Sequence, residues 1–88
     1  MTEVIVTITN PTGLHARPAA MFVQKSAGFK SKVKLTGNGK TADAKSILAV
    51  MGMGLAKGKK VTISADGEDE AACVQALKEL FESNFGEG

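Results

Sequence analysis

The sequence has little of several residue types on which small proteins often depend. One cysteine among 88 residues cannot form an internal disulfide, so the chain is expected to be a reduced protein. There is no tryptophan or tyrosine and only 5% aromatic residues, which argues against the aromatic platform of an RNA-recognition module. No apolar run approaches the roughly 18 residues of a membrane span, so membrane insertion is not expected. Residues 1–3 lead directly into an alternating segment without signal-peptide features, which predicts a cytoplasmic location.

The length and the charge pattern indicate a small globular protein with two unlike segments. An 88-residue chain is expected to form one domain, residues 1–88, around a single core. A monomer is expected. Residues 1–65 carry ten basic and two acidic side chains, whereas residues 66–88 carry one lysine and seven acids. A basic body suits an acidic partner or a phosphate group. The alternative is that these lysines simply lie on solvent-exposed strands beside a solvent-exposed helix. On these residues alone, this alternative is favoured over a binding surface.

The first half of the chain shows strand and helix patterns separated by turns. Alternation over residues 4–9 predicts a strand, and Asn10-Pro11-Thr12-Gly13 predicts a turn after it. Pro18 fits only in the first turn of a helix, so the helix that follows is predicted to begin at about His15. Gly28 is predicted to end that helix with a positive φ. The apolar stripe of the helix is predicted from the spacing of Ala16, Ala19, Ala20, Phe22, Val23 and Ala27.

The second half predicts a hairpin, a short helix, a strand and a final helix. Residues 32–36 form the second strand, Gly37-Asn38-Gly39 the turn, and residues 40–42 the third strand. Ser46 is predicted to be the N-cap of a short helix over residues 47–51, an interaction worth about 1 kcal/mol. A fourth strand through residues 61–63 ends at Asp66-Gly67, and acidic residues 68–70 are expected at the start of a last helix of about 15 residues. The apolar stripe of that helix comprises Cys73, Val74, Leu77, Leu80 and Phe81.

The predicted order of elements is β-α-β-β-α-β-α. This order, with one tight hairpin, predicts an α+β fold: an open-faced β-sandwich with a four-stranded, mainly antiparallel sheet and three helices on one face.

The strongest candidate for a reactive group is the only histidine, His15, which lies in the segment Gly13-Leu14-His15-Ala16-Arg17-Pro18. Because this segment opens a helix, its unpaired N–H groups and the helix dipole favour an anion there. Arg17 adds a guanidinium group matched to phosphate oxygens, and a neutral imidazole has a nucleophilic ring nitrogen. These residues indicate a histidine that accepts a phosphoryl group and releases it. On the residues alone, an ordinary capping or surface histidine is about equally favoured.

Two other chemistries fit His15 poorly. A metal site is disfavoured because no second histidine, nearby cysteine or carboxylate cluster accompanies it, and no cofactor is expected. A Ser-His-Asp hydrolase is disfavoured because the short chain leaves little room for a substrate cleft and contains no nucleophile motif of that kind.

Two segments resemble the signatures of one known family. Residues 12–20, with the sequence TGLHARPAA, and residues 44–48, with the sequence AKSIL, are similar to the two motifs of HPr, the histidine phosphocarrier of the bacterial phosphoenolpyruvate:sugar phosphotransferase system. The resemblance implies that His15 takes phosphate on Nδ1 from phosphorylated enzyme I and passes it to enzyme IIA domains. It implies that Arg17 and the amide of Ala16 support the phosphoryl group.

The resemblance also implies regulation at Ser46. In Gram-positive-type members, HPr kinase/phosphorylase phosphorylates the serine at this position, and the phosphorylated protein acts with the catabolite control protein in carbon catabolite repression. The expected partner-binding residues are Ala20, Gln24, Ile47, Leu48 and Met51, with Ala16 extending the same face. Ile47 and Met51 are about equally compatible with burial in the core. Gly52, Met53 and Leu48 depart from the residues common in those members, which weakens the expectation of a repressor partner.

Two alternative functions follow from other features. A mainly regulatory relative would act through Ser46 without carrying phosphate to sugars, but the presence of His15 and Arg17 argues against it. A small basic nucleic-acid-binding module would explain the charge of residues 1–65, but the scarcity of aromatic residues argues against it, and no nucleic-acid partner is expected.

Overall fold

The architecture follows the predicted order of elements. A computed structural model describes residues 1–86, and over these residues the chain forms four β-strands and three α-helices. The elements are β1 (Thr2–Thr7), α1 (Ala16–Ala27), β2 (Lys32–Gly37), β3 (Lys40–Asp43), α2 (Ile47–Met51), β4 (Lys60–Asp66) and α3 (Glu70–Glu82). A short 3-10 turn, Asn84–Gly86, follows α3 and is called the C-terminal turn below.

The strands form one antiparallel sheet in the order β1-β4-β2-β3. Alternation separates its two faces: Val6, Val61 and Leu35 are buried beneath the helices, whereas Ile5 and Lys34 on the other face are exposed. Helix α3 packs on β1 and β4, α2 packs on β3, and α1 contacts both of these helices. The predicted fold class, a four-stranded sheet with three helices on one face, is therefore confirmed.

The predicted hairpin between β2 and β3 is also confirmed. Gly37 pairs with Lys40, which leaves Asn38 (φ 54°) and Gly39 (φ 73°) as the two-residue loop. Two successive positive φ values are typical of a tight turn whose twist matches that of the strands. The third strand continues one residue beyond the prediction, to Asp43.

The core between the helices depends on three phenylalanines. The rings of Phe22 in α1 and Phe81 in α3 meet edge to face with centroids 5.6 Å apart. Phe85 of the C-terminal turn meets Phe81 in the same manner at 4.8 Å. All three side chains are buried, so the C-terminal turn closes the core beneath α1 and α3.

Several details of α1 differ from the prediction. Gly28 has a φ of −75°, so the positive φ expected there is wrong. Its N–H instead bonds the carbonyl oxygen of Lys25 in a right-handed final turn. Ala16 and Ala27 are exposed rather than part of the apolar stripe, because the buried face of α1 turns towards Pro18 and Ser26. The Ser26 hydroxyl bonds the Phe22 carbonyl at 2.8 Å, which satisfies this buried polar group within the helix.

Smaller differences occur at the ends of β1 and α3. Strand β1 ends at Thr7, and Ile8 instead exchanges backbone hydrogen bonds with the loop that precedes β4. Helix α3 is two residues shorter than predicted, with 13 residues, and Leu80 is only half-buried. No helix within the described part of the chain is long and apolar enough to cross a membrane.

Candidate functional site

The loop before α1 is held rigidly against a distant segment of the chain. Gly13 has a φ of 65°, and a Cβ atom on it would lie 2.7 Å from the carbonyl oxygen of Leu55. The next amide, that of Leu14, donates to the same oxygen at 3.0 Å. The buried side chain of Asn10 donates from Nδ2 to the Gly13 carbonyl at 2.7 Å. A glycine is therefore required at this close approach, which positions the residue that follows.

His15 lies at the N-cap of α1, as predicted, with its side chain exposed. Its backbone is extended (φ −76°, ψ −173°), and its carbonyl accepts the amide of Ala19 at 2.8 Å. Within residues 1–86 its imidazole makes no capping hydrogen bond. The first amides of a helix, here those of Ala16 and Arg17, point outward without intrahelical acceptors. Pro18, the next residue, has no N–H to add to them. An accessible imidazole thus lies beside two donors suited to an anion.

A shallow open depression lies beside the imidazole. It has a volume of about 390 Å³, which is ample for a phosphoryl group. Its lining residues come from the loop before α1, from the end of α2 and from the following loop: Thr12, Leu14, His15, Met51, Gly54, Leu55 and Ala56. The sequence offered no signal for residues 54–56, because only the folded chain brings this loop to His15.

Arg17 is exposed and available to an anion. Across residues 1–86 the structure contains one ion pair, between the amino group of Met1 and Glu70 at 3.2 Å, so the Arg17 guanidinium has no carboxylate partner in this part of the chain. A planar guanidinium without a competing carboxylate suits bidentate binding of phosphate oxygens.

Ser46 caps α2 as predicted. Its hydroxyl oxygen accepts the amide of Ala49 at 3.4 Å, and the residue is half-buried. The three apolar residues expected beside it are exposed by 39% for Ile47, 81% for Leu48 and 41% for Met51. The alternative that Ile47 and Met51 belong to the core is therefore wrong: Val50 is the buried residue of α2, and Ala49 packs against the core beside it.

The expected partner-binding residues lie on two neighbouring helices, α1 and α2. On α1, Ala16 and Gln24 are exposed and Ala20 is half-buried. Helix α1 packs beside α2, and Met51 itself lines the depression at His15. We call the exposed residues Ile47, Leu48 and Met51 of α2 the apolar patch. Of the two departures after Met51, Met53 is a core residue and Gly52 ends α2 with an ordinary φ of −67°.

Groups with shifted pKa values lie away from His15. Burial raises the pKa of the Cys73 thiol, which disfavours the thiolate and a nucleophilic role. A hydrogen bond from the Ser31 hydroxyl, followed by one from the amide of Lys30, lowers the pKa of Asp69. Asp69 is the N-cap residue of α3, but its carboxylate binds the turn before β2 rather than the first turn of its own helix. In the portion of the chain that the structure describes, no three metal-ligating side chains converge.

The fold and the site define a small open-faced β-sandwich protein with an accessible histidine and an arginine at the opening of its first helix. A family model described as the PTS HPr component phosphorylation site matches residues 2–83. The chain therefore belongs to the HPr family of phosphocarrier proteins of the phosphotransferase system, which confirms the resemblance noted in its two motifs.

Individual relatives agree with this assignment. The chain is 44% identical over 87 residues to the phosphocarrier protein HPr of Xylella fastidiosa, covering 99% of this chain and 98% of the relative. A crystal structure of HPr from Thermoanaerobacter tengcongensis superposes with a TM-score of 0.96 at 46% identity, covering 100% of this chain and 99% of that one. The Bacillus subtilis catabolite repression protein Crh, crystallised as a swapped dimer, superposes with a TM-score of 0.75 at 39% identity, covering 96% and 97%.

Proposed function

We propose that this chain carries a phosphoryl group on His15 during sugar uptake. It takes the group from enzyme I, which is phosphorylated by phosphoenolpyruvate, and passes it to enzyme IIA domains in the cytoplasm. The observation that carries the proposal is the exposed imidazole at the first turn of α1, uncommitted to capping within residues 1–86 and followed by Arg17. Successive exchange with two partners needs this face free, so we propose the monomer, with residues 1–88 as one domain, as the acting form.

The proposed transfer is a displacement at phosphorus. The lone pair of a neutral ring nitrogen of His15, Nδ1 in the family, forms the P–N bond while the bond from phosphorus to the donor breaks and its electron pair leaves with the donor. The amides of Ala16 and Arg17 and the Arg17 guanidinium bind the phosphoryl oxygens. Such a site binds the group with intermediate strength, because an exposed phosphohistidine held by donors alone can surrender it as easily as receive it.

Intact-mass analysis tests the proposal. After incubation with enzyme I and phosphoenolpyruvate, the native chain is expected to gain one phosphate that is lost in acid and retained in base. His15→Ala is expected to gain none, and Ser46→Ala, the matched control at the other proposed site, is expected to gain one as before. Phosphorylation of His15→Ala to the native extent would contradict the proposal.

We further propose that phosphorylation of Ser46 regulates the carrier. Ser46 is accessible at the start of α2, and the apolar patch that follows it borders the depression at His15. A phosphate at Ser46 would add negative charge to the surface used by acidic partners and repel them. The likeness to the catabolite repression protein Crh supports a role in catabolite control. The partners in this proposed role are HPr kinase/phosphorylase and the catabolite control protein.

The regulatory proposal has its own test. Treatment with HPr kinase/phosphorylase and ATP is expected to add one acid-stable phosphate to the native chain and none to Ser46→Ala. The phosphoserine form is then expected to accept phosphate from enzyme I at least about tenfold more slowly, since added like charge opposes association. Equal rates for the two forms would contradict this regulation.

The two alternatives from the sequence receive less support. A mainly regulatory role through Ser46 does not account for the exposed His15 and Arg17 at the start of α1. A nucleic-acid-binding role lacks a stacking surface, because Phe22, Phe81 and Phe85 are buried and Phe29 is half-buried.

A further inference from the structure

The loop between α2 and β4, residues 52–59, reaches His15 without a helix or strand of its own. Two of its glycines, Gly54 (φ 65°) and Gly58 (φ 94°), have left-handed backbones, and a Cβ atom on either would meet no described atom within 4 Å. Glycine has the widest range of backbone conformations, so such positions resist movement weakly. The position of this loop therefore depends on the hydrogen bonds that its backbone makes with other segments.

One side of the loop is bonded by a residue distant in the sequence, Asn38 at the tip of the β2–β3 hairpin. The Nδ2 atom of Asn38 donates to the carbonyl oxygen of Met53 at 3.1 Å and to that of Gly54 at 3.4 Å. The Asn38 backbone has a φ of 54°, in the left-handed region where asparagine is enriched among residues with a side chain. The hairpin turn thus places a side-chain donor against the loop.

The next carbonyl of the loop bonds the segment that leads to His15. The carbonyl oxygen of Leu55 accepts the amide of Leu14 at 3.0 Å, and Leu55 also lines the depression beside the imidazole. The three consecutive carbonyls of residues 53–55 therefore bond Asn38 on one side and Leu14 on the other. A movement of these three residues would displace the acceptor of the amide that immediately precedes His15.

We infer that Asn38 is a positioning residue for His15, because its side-chain amide holds the loop to which the start of α1 is bonded; this inference rests on the function proposed above. Asn38 does not line the depression, so it acts on His15 only through residues 53–55. The geometry of a reacting group affects the transfer step itself, and small displacements slow it strongly. Loss of the Asn38 donor is therefore expected to lower the rate of transfer and to leave partner binding nearly unchanged.

Two variants of the same hairpin test this inference. Asn38→Gly removes the donor and keeps a residue suited to positive φ, so the turn is not strained. Thr41→Val is the matched control, because it removes the 3.2 Å hydrogen bond between the hydroxyls of Thr36 and Thr41, which does not involve the loop. With the chain as the substrate of phosphorylated enzyme I, Asn38→Gly is expected to lose about tenfold in kcat with KM within about twofold of native. Thr41→Val is expected to keep both native values.

Hydrogen exchange of the Leu14 amide gives a readout that does not depend on phosphate. In Asn38→Gly this amide is expected to exchange about tenfold faster than in the native chain, because its acceptor is no longer held. The amide of Cys73, which bonds the carbonyl of Asp69 inside α3 at 2.9 Å, is expected to keep its native rate. Asn38→Asp, whose carboxylate at pH 7 cannot donate to the two carbonyls, is expected to act in the same direction as Asn38→Gly.

Several results would overturn the inference. An Asn38→Gly chain with native kcat, or one whose loss appears only as a higher KM, would exclude a positioning role. Equal acceleration of exchange at Leu14 and Cys73 would show a loss of overall stability instead of a local change.

The same measurements distinguish this inference from the function on which it rests. If the native chain takes no phosphate on His15, the proposed function fails and the inference fails with it. If the native chain is phosphorylated normally and Asn38→Gly matches it in kcat and in Leu14 exchange, only the positioning role is disproved.

Discussion

At the scale of single residues, Gly13 positions His15 because no side chain fits between it and the loop at Leu55. Gly13→Ala is expected to lose about 1–2 kcal/mol of stability from its positive φ alone. The added Cβ would also lie 2.8 Å from Cα of Ala56, so the loop must move. A displacement near 1 Å is expected to slow phosphorylation by on the order of 100-fold.

Gly39→Ala is the matched control for this prediction. Gly39 also has a positive φ, 73°, but a Cβ on it meets no described atom within 4 Å. Urea unfolding is expected to show a similar backbone penalty for Gly39→Ala, while its phosphorylation rate stays native. If Gly13→Ala accepts phosphate as fast as Gly39→Ala, the close contact with the Leu55 loop does not position His15.

A second residue-scale prediction concerns pH. The Ser31 hydroxyl, followed by the Lys30 amide, holds the pKa of Asp69 below its usual range. A carboxyl group with a lowered pKa in the folded state adds stability that is fully present above the unfolded pKa of about 3.9. That stability is lost as the pH falls through the lowered pKa. Ser31→Ala is therefore expected to be less stable than the native chain at pH 7, and the difference is expected to shrink at acidic pH.

Urea unfolding of both chains between pH 2 and pH 7 measures this effect. Asp69→Asn serves as the control, because it removes the titrating group and should make the effect of Ser31→Ala nearly independent of pH. A stability difference between native and Ser31→Ala that stays constant over the whole range would contradict the assignment.

At the scale of elements, the C-terminal turn is part of the core. Phe85 is buried by contact with Phe81 even though its φ of 53° is unfavourable for a bulky residue. Phe85→Ala is expected to lose about 3–5 kcal/mol, the usual range for a buried phenylalanine. Phe29→Ala, at a half-buried position, is expected to lose clearly less when both are measured by urea unfolding. Equal losses would contradict the larger contribution of Phe85 to the core.

Most elements could be predicted from the sequence because their signals are local. The alternation of β1 and β2, the glycines around Asn38, and Ser46 before a short apolar run each determine structure within a few residues. The C-terminal turn had no such signal, since two successive left-handed residues, Asn84 and Phe85, are sustained only by burial against Phe81. Asp69 was expected at the start of α3, where it lies. Its carboxylate, however, accepts hydrogen bonds from the amides of Lys30 and Ser31 in the turn before β2, a long-range contact that no local pattern indicates.

At the scale of the whole molecule, the local part of the site was predictable and its surroundings were not. His15 and Arg17 lie in one turn of helix, so their proximity follows from the sequence. The contribution of Met51 depends on the packing of α2 beside α1. The contribution of residues 54–56 depends on the hydrogen bond from the amide of Leu14 to the carbonyl of Leu55.

The central claim is that the phosphate travels on the imidazole of His15. Because the sequence contains one histidine, its ring signals in a ¹H–¹⁵N NMR spectrum report on this site alone. Addition of catalytic enzyme I and phosphoenolpyruvate is predicted to shift the ring nitrogen signals, and brief acid treatment is predicted to restore them. Ring signals that stay unchanged while the chain gains an acid-stable phosphate would contradict the claim.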